Sequence, residues 1–266
     1  MPSRSILKKA FLIAFTCLTA YIILRAQIGL PFQRVTGFIH PLLALGFVLL
    51  HAVEREGLIP AGLLVVLVVA ITLTSEAVGV ATGWIFGDYH YTDHLGPLFL
   101  NLVPYVIPLI WLYMIYPSYV MASHLVPAGW QGWPRRLGIA ALGGLIITSW
   151  DLIVDPLMVH RGHWVWETPK GYFGIPAHNF AGWWLTCFVT LSMYLALSGK
   201  TISRKHLHPQ DDRQAILLYA ITGMSTIIGG WQAGLIAPAW IGFIAMGIWV
   251  VLSWWRTSLR EEGRYP

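Results

Sequence analysis

Long apolar runs recur along this sequence and limit what it can fold into. A helix needs about 20 apolar residues to cross the hydrocarbon core of a bilayer, which is about 30 Å thick. Windows of this kind lie near residues 10–29, 36–53, 61–81, 98–121, 137–155, 179–198, 214–229 and 233–253. The sequence therefore predicts an all-α, polytopic membrane helix bundle of about eight transmembrane helices. Seven are possible, because the last two windows are very close together.

The composition agrees with a membrane protein. Hydrophobic residues make up 56% of the chain and charged residues 11%, with a mean hydropathy of +0.64, whereas soluble domains carry about 25% charged residues. The length suits one compact bundle, so residues 1–266 are expected to form a single integral membrane domain. The net charge of +5 is spread over the loops without a basic stripe. Membrane lipids are therefore expected partners, and nucleic acid is not.

Basic residues are distributed unevenly between the connections of the predicted bundle. With eight spans and a cytoplasmic N-terminus, thirteen of the 17 Lys and Arg residues fall in cytoplasmic segments and four fall outside. Because cytoplasmic loops carry such an excess, both termini are expected in the cytoplasm of a multi-pass protein of the cell membrane. Arg4, Lys8 and Lys9 precede the first apolar run as in a signal peptide. No small-x-small cleavage site follows, so this run is expected to be the first membrane helix.

The acidic residues fall into two sets, one at each end of the predicted bundle. The cytoplasmic set lies among basic residues, is expected to be solvent-exposed, and consists of Glu54, Glu56, Asp211, Asp212, Glu261 and Glu262. The opposite set lies in or beside the third and fifth helices and consists of Glu76, Asp88, Asp93, Asp151, Asp155 and Glu167. Ionisable side chains at membrane depth are rare and costly, so the second set is where function is expected.

Asp151, Asp155 and Glu76 are the candidate catalytic residues. Asp151 and Asp155 are four residues apart and share a helix face, and Pro156 favours an end of the helix there. Glu76 is expected at a comparable depth. Burial, mutual like charge and a helix C-terminus each favour the neutral acid, which can donate a proton. The alternative is a structural role, in which Asn, His or Trp donors hold each acid and lock the helices together.

Aromatic residues crowd the same region. The candidate substrate-binding rings are Trp84, Tyr89, Tyr91, Trp164, Trp166, Tyr172, Phe173 and Trp183. Trp and Tyr are enriched at membrane interfaces in any case, so an aromatic belt accounts for many of them. Their π-faces also stabilise cations, however, and such faces beside a neutral acid suit protonation of an alkene to a carbocation.

A weak internal repeat links the two acidic helices. Glu76 precedes the segment G-D-Y-H-Y-T by eleven residues, and Asp151 precedes G-H-W-V-W-E-T by the same eleven. Each copy is an acid near the end of a helix, followed by a glycine-led loop with alternating aromatic residues. The repeat indicates duplication of a two-helix unit.

Two metal-dependent alternatives are less well supported by the sequence. His90, His94, His160 and His163 are close in spacing to the histidine boxes of membrane oxygenases, but the adjacent His-His pairs of those boxes are absent. Asp151 and Asp155 resemble the magnesium motif of intramembrane prenyltransferases, which would need more cationic side chains for a diphosphate. No metal site is therefore assigned.

Several long motifs are similar to the CruF-type carotenoid hydratases. They are E-A-V-G-V-A-T-G-W-I-F-G-D-Y-H-Y from Glu76, L-G-P from Leu95, V-P-Y-V-I-P-L-I-W from Val103, W-D-L-I-V-D-P from Trp150, G-H-W-V-W from Gly162 and G-Y-F-G-I-P-A-H-N-F-A-G-W from Gly171. The resemblance covers roughly residues 75–185. It implies addition of water across the terminal double bond of an acyclic ψ-end group, on lycopene, γ-carotene or a C50 relative.

The residues themselves provide a mechanism for such a reaction. Asp151 or Asp155 donates a proton, aromatic faces stabilise the tertiary cation, and water attacks. Glu76 or His178 takes the proton of that water, with Asp88 and Asn179 in supporting positions. Hydration changes no electron count, so no cofactor is expected.

Other classes of protein remain open on the sequence alone. They are a proton-coupled membrane transporter, a structural protein of a pigment complex, and a metal-dependent prenyltransferase or oxygenase acting on isoprenoid lipid.

Overall fold

The computed structural model describes residues 4–30, 34–198 and 209–261. These residues form eight α-helices and four short strands. The helices are α1 (Arg4–Gln27), α2 (Arg34–Glu56), α3 (Leu58–Thr82), α4 (Ile107–Leu125), α5 (Gly132–His160), α6 (Ala177–Leu197), α7 (Pro209–Gln232) and α8 (Ile236–Glu261). The strands are β1 (Tyr89–Tyr91), β2 (Leu98–Phe99), β3 (Val103–Pro104) and β4 (Trp164–Trp166).

The predicted helical membrane bundle is confirmed. Within the described residues, seven of the eight helices are long and apolar enough to cross a membrane, and α4 is the exception. Helix α4 is shorter and carries Tyr, Ser, Pro and His residues, yet almost every one of its side chains is buried. It packs against α2, α3, α5, α7 and α8, so it is the central helix of the bundle.

The predicted fourth span begins too early in the sequence. Residues 98–106 form an antiparallel hairpin of β2 and β3 and a short turn, and α4 begins only at Ile107. Leu100 and Asn101 at the tip have φ angles of 51° and 59°, which a helix does not accept. Pro104 also lacks the backbone N–H that a helix interior needs.

Pro156 does not end α5, contrary to expectation, because the helix continues to His160. A proline removes the hydrogen bond to the carbonyl four residues earlier, which here is Leu152. The hydroxyl of Tyr172 donates to this carbonyl oxygen at 2.9 Å. The loop before α6 thus supplies the bond that Pro156 cannot make, and the two aspartates stay inside a continuous helix.

One end of the bundle, here called the inner end, contains the starts of α1 and α7 and the ends of α2 and α8. Lys8 Nζ on α1 lies 2.5 Å from Glu54 Oε2 on α2 and 3.3 Å from Asp211 Oδ1 on α7. Arg213 on α7 donates to Ser258 Oγ on α8 at 2.8 Å. The two described ends of the chain therefore lie on the same side of the bundle. Which side faces the cytoplasm stays a prediction.

Two acids of the inner end are not solvent-exposed, and for these two the prediction is wrong. Glu56 and Asp212 are only 4% and 6% exposed. Arg55 Nε donates to Asp212 at 3.0 Å and its guanidinium also contacts Glu56, while His124 Nε2 lies 2.8 Å from Asp212 Oδ2. Charges from α2, α4 and α7 are thus paired inside the protein. The side chain of Glu261 and all of Glu262 lie outside the described residues.

Candidate active site

A cavity of about 910 Å³ lies at the opposite, outer end of the bundle. This volume is near the upper limit of pockets that hold drug-sized ligands, about 300–1,000 Å³. Side chains from α1 to α7 and from the loops between them line it, including Glu76, Asp155 and Asn179. The predicted acids therefore border a common space.

Asp151 and Asp155 form a buried pair bridged by an amide. Both lie on the same face of α5 and are 0% and 2% exposed. Asn179, in the first turn of α6, donates from Nδ2 to Asp151 Oδ2 at 3.0 Å and to Asp155 Oδ2 at 2.5 Å. Among the described residues, no donor reaches Asp151 Oδ1. Asp155 borders the cavity, and Asp151 lies behind it.

Glu76 has a different environment from the aspartates. Its Oε2 accepts hydrogen bonds from the hydroxyls of Tyr89 and Tyr91 at 2.5 and 2.7 Å, and its Oε1 accepts one from Trp111 Nε1 at 2.8 Å. Burial, followed by the nearby charge of Glu76, raises the pKa of Tyr89 and of Tyr91 well above the usual range. Both phenols therefore remain protonated donors, and Glu76 acts as their acceptor.

The antiparallel pairing of β1 with β4 explains why four aromatic rings face the cavity. Tyr89 lies opposite Trp166 and Tyr91 lies opposite Trp164 in this ribbon. Successive side chains of a strand point to opposite faces, so these four share one face. Trp166 Nε1 also donates to Phe86 O at 3.0 Å, which fixes the ribbon to the turn after α3. The two loops of the sequence repeat are thus direct neighbours.

Three further indoles from the helices extend this aromatic wall. Trp111 on α4 stacks on Trp183 on α6 with ring centroids 4.0 Å apart, and Trp150 meets Trp183 edge-on at 6.0 Å. All three rings border the cavity. Of these, only Trp183 is among the rings predicted from the sequence. Trp111 is the last residue of the motif V-P-Y-V-I-P-L-I-W, and Trp150 directly precedes Asp151. Their places in these motifs are the sequence signals that could have identified them.

Some predicted residues are not brought to the cavity. Trp84 and Phe173 are 82% and 49% exposed, and Asp88 and His178 are also exposed. Tyr172 makes the structural bond to Leu152 described above. Among the described residues that line the cavity, none of these five occurs.

The histidines of the outer loops are dispersed. His90 pairs with Glu167 at 2.6 Å, while the rings of His94 and His163 meet edge-on at 5.9 Å. Within residues 4–30, 34–198 and 209–261, no group of three or more His, Cys, Asp or Glu side chains is arranged to hold a metal ion.

Gly182 on α6 allows the turn after α3 to approach this helix closely. A Cβ atom at this position would overlap the carbonyl oxygen of Ile85 and lie 2.8 Å from the Phe86 ring. Gly182→Ala should therefore destabilise the protein by about 1–3 kcal/mol, as overpacking does, and displace the turn that holds Trp166. The measurement is the apparent unfolding midpoint in detergent. Gly247→Ala, where nothing lies within 4 Å, is the matched control. Equal midpoints for the two variants would contradict the close approach.

These features define a polytopic helical membrane protein with a buried carboxyl cluster at an aromatic cavity near one end of its bundle. Residues 36–249 match the family described as carotenoid biosynthesis protein, and the chain belongs to this family. This confirms the resemblance seen in the sequence. A stretch of 129 residues is 33% identical to a bisanhydrobacterioruberin hydratase of Haloarcula japonica. It covers 47% of this chain and 43% of that protein, so the chain spans less than half of the relative it matches. No solved structure matches the chain.

Proposed function

We propose that the protein is a carotenoid hydratase, which adds water across the terminal C=C of an acyclic ψ-end group. The observation that carries the proposal is the Asp151–Asn179–Asp155 cluster beside an aromatic cavity. Membership of the carotenoid biosynthesis protein family supports it, and so does the name of the Haloarcula relative. Lycopene, γ-carotene and longer C50 carotenoids carry this end group.

Asp155 is the residue that gives its proton to the alkene. It borders the cavity, whereas Asp151 is behind it and has no contact with the open space. Asn179 supplies hydrogen bonds to one oxygen of each carboxyl group, and Asp151 Oδ1 receives none from the described donors. A proton held by the Asp151–Asp155 pair removes the repulsion that two buried carboxylates would have. Asp151 thus holds a proton next to the donor and replaces it after each turnover.

Protonation of the outer alkene carbon leaves a tertiary cation on its neighbour. The indole of Trp164 lies beside Asp155 and edge-on to the Tyr91 ring, with centroids 5.8 Å apart. π-Faces attract cations, with contributions of about 2 kcal/mol or more at desolvated sites. The stacked pair of Trp111 and Trp183 continues this surface toward the centre of the bundle. The wall around the acid therefore stabilises the charge that the acid creates.

Glu76 takes the proton of the attacking water. The new C–O bond forms between water and the tertiary carbon, and Glu76 accepts the proton that this oxygen loses. Transfer of that proton back to the aspartate pair restores the starting state, so the net change is the addition of one water. His178 is exposed and outside the cavity lining, so we assign it no part in this step. The sequence of steps requires no change in oxidation state.

The position of the cavity suits a long hydrocarbon substrate. A polyene lying across a hydrocarbon core of about 30 Å places its end group near the interface. The cavity lies at the outer end of the bundle, and its lining includes Phe38, which is 57% exposed on the surface of α2. The substrate enters sideways from the bilayer through this region, and water arrives from the outer end.

Expression in a host that accumulates lycopene tests the reaction directly. The expected product is a carotenoid heavier by one water for each hydrated end, detected by liquid chromatography and mass spectrometry. An empty expression vector is the control. Unchanged pigment from well-expressed protein, with lycopene, γ-carotene and a C50 carotenoid each supplied, would contradict the proposal.

The role of Glu76 is tested by Glu76→Gln. The amide keeps the size of the side chain but cannot take a proton, so the hydration rate should fall by about 10²-fold, the lower end of the general acid–base contribution. The measurement is turnover of lycopene in membranes with matched protein content. Tyr91→Phe removes one of the three donors and keeps the carboxylate, so it should lose less than Glu76→Gln. A larger loss in Tyr91→Phe would reassign the step to the phenol.

A further inference from the structure

The carboxylate that Asp155 becomes after the first step stays in contact with the cation it has made. Transfer of the proton to the alkene breaks the O–H bond of Asp155 and forms a C–H bond, so a base and a cation are left side by side. Asn179 Nδ2 holds this carboxyl group at 2.5 Å, and the Trp164 indole lies beside it. The carboxylate therefore keeps its place at the cavity wall and is able to take a proton back.

Glu76, the acceptor proposed for the proton of water, does not contact Asp155. Within the described parts of the chain, no hydrogen bond joins the two acids. They are linked through two rings instead, because Tyr91 donates to Glu76 at 2.7 Å and its ring centroid lies 5.8 Å from that of Trp164. A carboxylate has about four acceptor positions, and three donors already occupy the oxygens of Glu76. Glu76 is therefore the more distant and the more fully occupied of the two bases.

The cavity lining next to Asp155 offers few partners to a water molecule. Val154, Met158 and Trp164 line the cavity around it, and Asn179 uses its Nδ2 group on the two aspartates. A buried water usually has about 2–4 polar partners. Water therefore reaches the cation less readily than the carboxylate of Asp155 does.

We propose that the protein also exchanges hydrogen atoms of the end group with solvent, by returning a proton to Asp155 before water adds. This inference rests on the hydration proposed above. In the return step a C–H bond next to the cation breaks, its electron pair forms a C=C bond, and the proton goes to the Asp155 carboxylate. Nothing is oxidised or reduced.

The position of the broken C–H bond decides which alkene is released. Loss of a proton from the carbon just protonated restores the substrate. Loss from a methyl group on the cation centre gives an isomer with a terminal methylene, which the same acid protonates again. The cavity reaches solvent at Asp93, an exposed residue of its lining, so the proton on Asp155 is renewed from solvent between rounds. Each round thus leaves solvent hydrogen in the alkene.

Incubation of lycopene in D₂O with membranes that contain the wild-type protein tests the exchange. After a wash in H₂O, which removes deuterium bound to oxygen, mass spectrometry is used on both the unreacted lycopene and the hydrated product. Unreacted lycopene should gain deuterium, and the product should hold more than one deuterium per hydrated end. Membranes from an empty-vector host are the control and should give neither.

The outcomes for the wild type separate this inference from the hydratase proposal. Hydrated product with a single deuterium per end, together with unlabelled lycopene, would overturn the inference alone, because water would then trap every cation. Label in lycopene without hydrated product would support proton return and contradict the hydratase reaction. Absence of both label and product would overturn both.

Glu76→Gln distinguishes direct return from reversal of the hydration. Hydration should fall by about 10²-fold, whereas exchange should fall by no more than about tenfold, because it needs only Asp155 and loses only the charge of Glu76 near the cation. Asp155→Asn should lose both activities, and Asp88→Asn, with an exposed acid outside the cavity lining, should keep both. Equal losses of exchange and hydration in Glu76→Gln would overturn the proposal, because the exchange would then pass through the alcohol. Hydrated carotenoid supplied to the wild type measures that reversal directly, and it should release labelled lycopene more slowly than lycopene itself gains label.

Discussion

Asp155→Asn should reduce the rate of carotenoid hydration by about 10³-fold. Asparagine has nearly the same shape, but it cannot donate the proton that begins the reaction, and general acid catalysis typically contributes 10²–10⁴-fold. The amide can still interact with Asn179, so the fold should be retained. The rate is measured as product formed from lycopene in membranes with equal protein content, and the unfolding midpoint is recorded for each variant.

Asp88→Asn is the matched control for this experiment, because Asp88 is an exposed acid of the same end of the bundle. It should keep the wild-type rate within about twofold, as surface substitutions away from special features have small effects. Asp151→Asn leaves the donor in place and removes only its proton supply, so its loss should be smaller than that of Asp155→Asn. If Asp155→Asn kept the wild-type rate, the assignment of the acid would be wrong even if the protein hydrates carotenoids.

The parts of the site that follow from local periodicity could be predicted from the sequence. Asp151 and Asp155 share a face because they are one helical turn apart. Tyr89 and Tyr91 share a face because they are two residues apart in a strand. Both rules need only the type of element. The approximate positions of the helices other than α4 were also predictable, since apolar length indicates a membrane span.

The remaining features depend on contacts between segments far apart in the chain. By residue type alone, Trp84 and Trp111 are equally good candidates for the lining of the cavity. In the structure, however, Trp84 is 82% exposed and Trp111 is 1% exposed. Only the packing of α4 at the centre of the bundle decides between them. Tyr172 is likewise predicted to bind substrate, but its hydroxyl donates to the Leu152 carbonyl. Pro156 leaves this carbonyl without its helical partner, but only the folded loop brings Tyr172 to it.

The inner end shows the same limitation with charges. Clusters of acids and bases between apolar runs are usually solvated, which is why the sequence predicts exposed acids at this end. In the structure, Asp212 on α7 meets Arg55 on α2 and His124 on α4. These residues are separated by 157 and 88 positions along the chain. Local sequence gives no information on such pairs.

Arg55→Leu should lower the free energy of unfolding by about 3–5 kcal/mol, as loss of one partner of a buried ion pair does. Arg55 donates to both oxygens of Asp212 at 3.0 and 3.2 Å and to Ser123 Oγ at 2.8 Å, and its guanidinium lies 5.1 Å from the centre of the Tyr119 ring. Leucine would leave Asp212 and Glu56 buried without their cation. The apparent unfolding midpoint in detergent should fall by roughly 10 °C, since 1 kcal/mol corresponds to about 2–4 °C in chains of this size.

A double-mutant cycle separates the loss of the ion pair from the loss of packing. In Arg55→Leu with Asp212→Leu, neither charge is left alone, so the double variant should be less destabilised than the sum of the two single variants. Arg136→Gln, at the same end but outside the buried cluster, should shift the free energy of unfolding by no more than about 0.5 kcal/mol. Additive effects of Arg55→Leu and Asp212→Leu would mean that the two side chains do not interact. In that case the Arg55–Asp212 pair would have no part in holding α7 to α2.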